Sequence, residues 1–378
     1  MAETREVYLI AGEASGDRHG AELVNALKRA QPDLICSGVG GRYMKAAGQD
    51  QLFDLAEHAV VGLTDVLRNY FKFKKFFDQI LADIKRRRPE VVVFIDYPGM
   101  NLRLARQLRA TTPGLKLAYY ISPQVWAWKS GRAKLMEEIL DLMLVIFPFE
   151  KDWFSERTPK LKVEWVGHPI LDRWDLERIE KPEEGGPCRI ALMPGSRKKE
   201  LQAHLEILLQ TVTLLRSRFG EVEVSVLAAD ENAQTTISES IQASGMTGVE
   251  ILSGYQLTHL SRCHLVLAAS GTATLECAMA QVPLIVLYKS NPITFAVGKR
   301  LVKLPYISMV NILAGKRVVP EFLQGDANPE ALSLAAAELL SNREAREEMK
   351  GNLKQVVSGL GQAGCSDRAA DEILSLLP

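Results

Sequence analysis

The chain has 378 residues, enough for two domains at roughly 150 residues each. Lys and Arg number 46 and Asp and Glu 46, a net charge of zero, which excludes a nucleic-acid binder that works through bulk positive charge. Hydrophobic residues at 47 % and charged ones at 24 % exclude a disordered chain.

Five cysteines (Cys36, Cys188, Cys263, Cys277 and Cys365) are odd in number and show no C-x-x-C spacing. That speaks against a disulfide framework or a cysteine-based zinc site and for a reducing compartment. No run approaches the ~18 apolar residues of a membrane span. The N-terminal Val7-Tyr8-Leu9-Ile10-Ala11 is too short, and too soon followed by Glu13, for a signal peptide. A cytoplasmic protein is expected.

Short apolar runs alternate with longer amphipathic stretches, the rhythm of βα units around parallel sheets. The first predicted strand, 6–11, enters Gly12-Glu13-Ala14-Ser15-Gly16-Asp17, which reads as a crevice loop ahead of a helix over 18–30. Its spacing does not fit the dinucleotide fingerprint G-x-G-x-x-G, so NAD is disfavoured. Strand 34–39 carries Gly38-Val39-Gly40-Gly41, no better a match.

The stretch 60–88 has the most unusual composition. Leu63, Val66, Leu67, Tyr70, Phe73, Phe77, Ile80, Leu81 and Ile84 fall on one helical face. Phe71 and Phe76 lie off that stripe among Arg68, Lys72 and Lys75, ahead of Lys85-Arg86-Arg87-Arg88. Two readings stand: a core helix (73–86) with a solvated basic face, or an interfacial helix that dips into an anionic bilayer.

Strand 91–95 ends in Asp96-Tyr97-Pro98-Gly99-Met100-Asn101, before a helix over 101–110. A carboxylate at the carboxyl end of a buried parallel strand faces the crevice, where partial burial raises its pKa toward general-base duty. The alternative is an Asp that caps the helix. Strand 115–121 ends in Ser122-Pro123-Gln124-Val125-Trp126-Ala127-Trp128, whose tryptophans are either core packing or a platform for a sugar or acyl chain. After strands 142–147 and 162–166, His168 reads as a packed, hydrogen-bonded interdomain residue. The charged, Pro- and Gly-bearing segment 172–187 marks the domain junction.

Strand 188–193 runs into Pro194-Gly195-Ser196-Arg197 and a helix over 198–218. A glycine turn lets backbone N–H groups approach an anion, and Arg197 offers a planar fork for phosphate. A βα turn with a solvated Arg explains the tetrapeptide equally well. Strand 222–228, a helix over 233–243, and strands 248–252 and 264–268 follow. Next comes Ser270-Gly271-Thr272-Ala273-Thr274-Leu275-Glu276, opening a helix over 272–280. Free N–H groups at Gly271, Thr272, Ala273 and Thr274 can hold a pyrophosphate, and Glu276 can accept from ribose hydroxyls. Plain N-capping with a capping-box Glu is the competing reading. Arg197 on a neighbouring strand end tips the balance toward a nucleoside diphosphate. Strand 283–288 ends in Tyr288-Lys289, and Asn311 either reads a base or sugar edge or satisfies loop backbone. Residues 328–378 are helical in pattern.

Six histidines without an H-x-x-x-H pair leave no metal site, and no serine sits in G-x-S-x-G. No cofactor is expected. The fold class is α/β, two facing Rossmann-like domains with parallel sheets, over 1–172 and 187–345. Residues 346–378 form C-terminal helices that pack either on the first domain or on a partner chain, which leaves a homodimer open.

Taken in order, these segments resemble lipid-A-disaccharide synthase. The resemblance rests on residues 11–17, Ile95-Asp96-Tyr97-Pro98 with Asn101, residues 121–128 and Phe147-Pro148-Phe149-Glu150. It continues through Val166-Gly167-His168-Pro169, residues 194–197, residues 270–276 and Asn311-Ile312-Leu313-Ala314-Gly315. One departure is Val310, where many members carry Pro. The resemblance implies an inverting glycosyltransferase of the GT-B architecture. It would join UDP-2,3-diacylglucosamine to 2,3-diacylglucosamine 1-phosphate (lipid X), giving the β-1,6 disaccharide 1-phosphate and UDP. It also implies that Asp96 is required, that Arg197, Glu276 and Asn311 line the UDP pocket, and that a helix near 60–77 holds the protein peripherally on the inner membrane.

The expected site is therefore Asp96 as general base, with Gly195, Ser196, Arg197, Gly271, Thr272, Ala273, Thr274, Glu276, Tyr288 and Asn311 around UDP. Glu13, Ser15, Asn101, Ser122 and Gln124 are expected at the acceptor. Leu63, Val66, Leu67, Tyr70, Phe71 and Phe76 are expected against the anionic cytoplasmic face of the inner membrane. A UDP-sugar epimerase and a non-catalytic nucleotide-sugar or lipid carrier are the competing functions.

Overall fold

The computed structural model describes residues 5–55, 70–173, 179–183, 186–254, 256–292, 295, 298, 300 and 304–378, with residues 70–72 described by backbone alone. The chain forms two units, Met1–Arg173 with Leu360–Pro378, and Trp174–Gly359. Residues 346–378, read as one segment from the sequence, are thus shared between the two units.

In the first unit the chain runs through β1 (Glu6–Ala11), α1 (Ala14–Ala30), β2 (Ile35–Gly40), α2 (Arg42–Ala46), β3 (Asp50–Asp54), α3 (Tyr70–Arg87) and β4 (Val91–Ile95). It continues through α4 (Pro98–Thr111), β5 (Lys116–Tyr120), α5 (Arg132–Ile139), β6 (Leu142–Val145), α6 (Pro148–Arg157) and β7 (Lys162–Trp165). The seven strands pair in parallel in the order β3-β2-β1-β4-β5-β6-β7. All five residues of β4 and the last five of β1 are buried, as central strands covered by helices on both faces must be. Each such aliphatic side chain contributes about 1.5–3 kcal/mol by leaving water.

Two sequence boundaries move. Helix α1 starts at Ala14 rather than 18, so most of the expected crevice loop is a first helical turn; Gly16 lets that turn pack against Ala11 and Ile95. Helix α4 starts at Pro98 rather than 101, because a fixed φ and a missing N–H suit proline to a first helical position. Strand β3 was not expected. It is an edge strand whose Asp50-Gln51-Leu52 opening lacks apolar alternation.

On α3, Ile80 and Ile84 are buried, and Phe76, Phe77 and Leu81 pack against the same core. This corrects the reading of Phe76 as off the apolar stripe. Its ring stacks on Phe53 with centroids 5.0 Å apart, because positions 76 and 80 lie one turn apart and share a face. Leu63, Val66 and Leu67 lie outside the described residues, as do the side chains of Tyr70 and Phe71.

The second unit comprises β8 (Cys188–Met193), α7 (Lys198–Phe219), β9 (Val222–Ala228), α8 (Glu231–Ser244), β10 (Val249–Ser253), α9 (Leu257–Ser261) and β11 (Leu265–Ala269). Then come α10 (Ala273–Met279), β12 (Leu284–Tyr288), α11 (Met309–Ala314), β13 (Glu321–Leu323), α12 (Pro329–Ser341) and α13 (Arg343–Ser358). Its six strands are parallel in the order β10-β9-β8-β11-β12-β13. Helix α7 buries Leu201, Leu205, Leu208, Val212 and Leu215 along one face. Asp230 caps α8 through the Ala233 N–H, and Gly245 ends it at φ 67.

The last helix, α14 (Cys365–Leu374), packs along α1 in the first unit. Asp172 holds its start. Oδ1 accepts the N–H groups of Gly364 (2.6 Å) and Cys365 (3.1 Å), and Oδ2 that of Ser366 (2.9 Å). One carboxylate thereby satisfies three donors that a helix terminus leaves open.

Candidate functional site

In an open parallel sheet, ligands bind beyond the carboxyl ends of the strands where the strand order reverses. In the first unit that point lies between β1 and β4, and in the second between β8 and β11. Most of the expected site residues fall at these two places.

At the first, Asp96 follows β4 directly. Its N–H still donates to the carbonyl of Tyr120, 3.1 Å away, but its φ is 46° and that of Tyr97 is 47°. Two consecutive left-handed non-glycine residues cost about 1–3 kcal/mol each and persist only where their surroundings impose them. Tyr97, not Asp96, is the N-cap of α4. The ring of Tyr97 fills the space over Gly12, where a Cβ would lie 2.2 Å from Cδ1. Asn101, fully buried, donates through Nδ2 to the carbonyls of Asp96 (2.7 Å) and Ile95 (3.2 Å). The Tyr119 hydroxyl donates to the same Asp96 carbonyl at 2.5 Å. Burial, and then the nearby Asp96 carboxylate, push the Tyr119 phenol well above its ordinary range; burial and then Glu13 raise that of Tyr97. The Tyr119 phenol therefore remains a neutral donor to the Asp96 carbonyl.

Glu13 is half-buried at the N-cap of α1, and Ser15 is exposed in its first turn. Asp17 is buried, with Oδ1 accepting from the N–H groups of Gly41 (2.8 Å) and Met44 (2.9 Å) and Oδ2 from Tyr43 (3.0 Å). It fixes the loop after β2. Beyond β5, Ser122 is buried and its hydroxyl donates to Glu150 Oε1 (2.8 Å), which also accepts Trp126 Nε1 (2.8 Å). Glu150 Oε2 accepts the N–H groups of Ile146 (3.1 Å) and Phe147 (3.0 Å). Burial raises the Glu150 acid above its ordinary value, and these four bonds offset part of that rise. Trp126 is partly buried, edge-on to Phe149, whereas Gln124 and Trp128 are exposed, with Lys129 Nζ 4.1 Å over the Trp128 ring. His168 is buried and accepts the Ile170 N–H on Nδ1 (3.1 Å); burial pushes it down to about 3.

In the second unit, β8 and β11 are paired neighbours and β12 lies beside β11. Their ends therefore bring Gly195-Ser196-Arg197, Ser270-Gly271-Thr272 and Tyr288 to one edge. Ser196, Arg197, Gly271 and Thr272 are exposed there, and Gly195 turns at φ 108. Arg197 pairs with Glu200 at 2.9 Å across the start of α7. Ala273 opens α10, Thr274 donates to the Gly271 carbonyl (2.8 Å), and Glu276 is buried in the first helical turn.

One expectation is corrected. Asn311 is fully buried with its side-chain bonding capacity spent: Nδ2 donates to Val319 O (3.0 Å) and Glu321 Oε1 (2.8 Å), and Oδ1 accepts from the N–H groups of Val318 (2.7 Å) and Val319 (3.0 Å). It satisfies loop backbone, the other reading of the sequence. Glu321, whose Oε1 also binds Ser308 Oγ (2.6 Å), shares this role.

Sequence reasoning missed His204. It is fully buried on α7; Nδ1 lies 2.8 Å from Pro194 O, and Nε2 accepts the Lys289 N–H (3.0 Å). The ring ties the β8 turn to the end of β12. Its only signal was a histidine on the apolar face of a helix. His204→Phe should cost about 2–4 kcal/mol, two orphaned backbone groups, and weaken UDP binding; urea unfolding and calorimetry measure the two effects.

The family described as lipid-A-disaccharide synthetase matches residues 7–373. This chain is 37 % identical over 380 residues to the lipid-A-disaccharide synthase of Geobacter sulfurreducens, covering 99 % of this chain and 98 % of that one. The chain belongs to the lipid-A-disaccharide synthase family. The Geobacter metallireducens relative is 36 % identical over 382 residues, covering 100 % of this chain and 98 % of its own length. Among solved structures, UDP-GlcNAc 2-epimerase from Neisseria meningitidis bound to UDP-GlcNAc is similar at TM-score 0.66 and 12 % identity, covering 98 % of this chain and 100 % of that one. A glycosyltransferase from Rickettsia africae gives 0.56 and 12 %, covering 99 % of each. At such identities the likeness is one of fold. The chain is a glycosyltransferase of the GT-B fold class. Among the described residues no helix is long and apolar enough to cross a membrane.

Proposed function

We propose that this lipid-A-disaccharide synthase joins UDP-2,3-diacylglucosamine to 2,3-diacylglucosamine 1-phosphate with inversion at the anomeric carbon, and that Asp96 is the general base. The observation that carries this reading is the placement of Asp96 at the strand-order reversal of the first unit, in a left-handed conformation that its neighbours impose. Inversion needs one in-line attack, hence one base and no covalent partner. Asp96 takes the proton of the acceptor's 6-hydroxyl, whose oxygen forms the new bond to the anomeric carbon as the bond to UDP breaks.

The second unit carries the donor. Backbone N–H groups at 195–196 and 271–273 and the Arg197 guanidinium meet the charge that builds on the leaving diphosphate, and Glu276 takes the ribose hydroxyls. Nucleotide complexes of the Neisseria meningitidis epimerase and of S. aureus MnaA with UDP, which share the fold, support a UDP moiety here. Glu13, Ser15, Ser122 and Gln124 mark the acceptor side, although the Ser122 hydroxyl is committed to Glu150. The anomeric configuration of the product, read by proton NMR coupling, tests inversion: a β linkage is expected, and an α linkage contradicts the single-displacement scheme.

The protein works peripherally on the cytoplasmic face of the inner membrane. Free cysteines and a UDP donor fit a reducing interior, and exposed Lys74 and Lys75 on α3 fit an anionic surface. Each basic residue near such a surface adds about 1 kcal/mol. The double change Lys74→Glu and Lys75→Glu should therefore lower co-sedimentation with anionic vesicles about tenfold or more. Unchanged sedimentation removes α3 from the contact.

A further inference from the structure

We propose that Asn101 and Tyr119 are positioning residues that hold Asp96 in its left-handed conformation and so aim the base; the proposal rests on Asp96 acting as the base. In a regular strand, successive side chains point to opposite faces. A residue that leaves the pleat at φ 46 directs its side chain where no strand continuation would, and Asp96 does this together with Tyr97 at φ 47. The ladder ends there, and the carbonyl of Asp96 is taken by two side chains instead: Nδ2 of Asn101 at 2.7 Å and the hydroxyl of Tyr119 at 2.5 Å.

Both donors are fully buried and come from different elements, Asn101 from the first turn of α4 and Tyr119 from β5, so the Asp96 carbonyl is held from two sides. Asn101 also holds the Ile95 carbonyl (3.2 Å), and its N–H donates to the Tyr97 carbonyl (3.2 Å). It thereby binds three consecutive residues around the base. Its Oδ1 is buried and accepts no hydrogen bond among the described residues. Gly12 completes the device, since any side chain there would collide with the Tyr97 ring. Asn101 thus acts through Asp96 and not by touching the acceptor, a different role from the one its motif position implies.

The test is steady-state kinetics of Tyr119→Phe, Asn101→Ala, Asp96→Asn and the double variant Asp96→Asn/Tyr119→Phe. Tyr119→Phe keeps the ring and removes only the hydroxyl, so it carries the test if Asn101→Ala does not fold. The expected result is a kcat about 10- to 100-fold lower for Tyr119→Phe, as for a misaimed catalytic group. KM for both sugars and UDP affinity should stay within threefold of wild type. In the Asp96→Asn background the same change should alter the residual rate by less than twofold, because there is no base left to aim. Wild-type kcat in Tyr119→Phe, with Asp96→Asn inactive, overturns the clamp and leaves the base assignment standing. Multiplicative losses in the double variant overturn the clamp too, since they mean independent roles. Turnover retained by Asp96→Asn overturns both.

Discussion

Asp96→Asn should lower kcat by about 10²- to 10⁴-fold, the range for loss of a general base, while UDP binds with wild-type affinity. The amide keeps the size and shape of the side chain and can still sit in the left-handed turn, so the geometry of β4 and α4 survives. What disappears is the basic, anionic carboxylate that receives the acceptor's proton, since an amide oxygen keeps its lone pairs but is too weak a base. UDP affinity should be unaffected because the groups proposed for the nucleotide, Gly195-Ser196-Arg197 and the 270–276 turn, belong to the second unit. Rapid-quench kinetics with calorimetry on the same preparation checks both halves. Equal loss of turnover and UDP affinity would assign Asp96 a structural role.

Glu150→Ala should destabilise the first unit by about 3–5 kcal/mol, as for leaving several buried donors without an acceptor. At about 2–4 °C per kcal/mol this lowers Tm by roughly 10 °C. Four donors lose their acceptor at once: the Ser122 hydroxyl, the Trp126 indole and the N–H groups of Ile146 and Phe147. The pH dependence has a definite sign. Burial raises the folded-state pKa of Glu150 above its ordinary 4.5, so the folded protein binds more protons than the unfolded chain just above that pH. The stability that this group contributes is therefore full below 4.5 and declines as pH rises through its folded value. The stability gap between wild type and Glu150→Ala should narrow as pH rises from 4.5; a widening gap would mean that the hydrogen bonds, not burial, dominate. Urea melts across that range decide it.

Much of the fold was legible because parallel strands buried on both faces read as unbroken apolar runs: Val91–Ile95 and Leu265–Ala269 need no tertiary information. The edge strands β3 and β13 were illegible for the converse reason. Half-exposed and short, they place Asp50, Asp54 and Glu321 where a central strand would place valine. The candidate site was legible where glycine or proline punctuates a strand end, as at Gly195, Gly271 and Pro98. It was illegible where a polar side chain serves the backbone of a distant segment. His204, Asp17 and Glu321 all do this, and their partners are set by tertiary packing rather than by spacing in sequence. Phe76 shows the same limit within one helix: only the presence of Phe53 reveals which edge of the stripe is covered.

The most direct measurement is UDP release from the diacylated UDP-glucosamine donor, followed with and without the acylated glucosamine 1-phosphate. Acceptor-dependent UDP release, stoichiometric with a disaccharide 1-phosphate, is the predicted result. Consumption or isomerisation of the UDP-sugar at the same rate without the acceptor would contradict transfer and favour the epimerase chemistry of its structural neighbours.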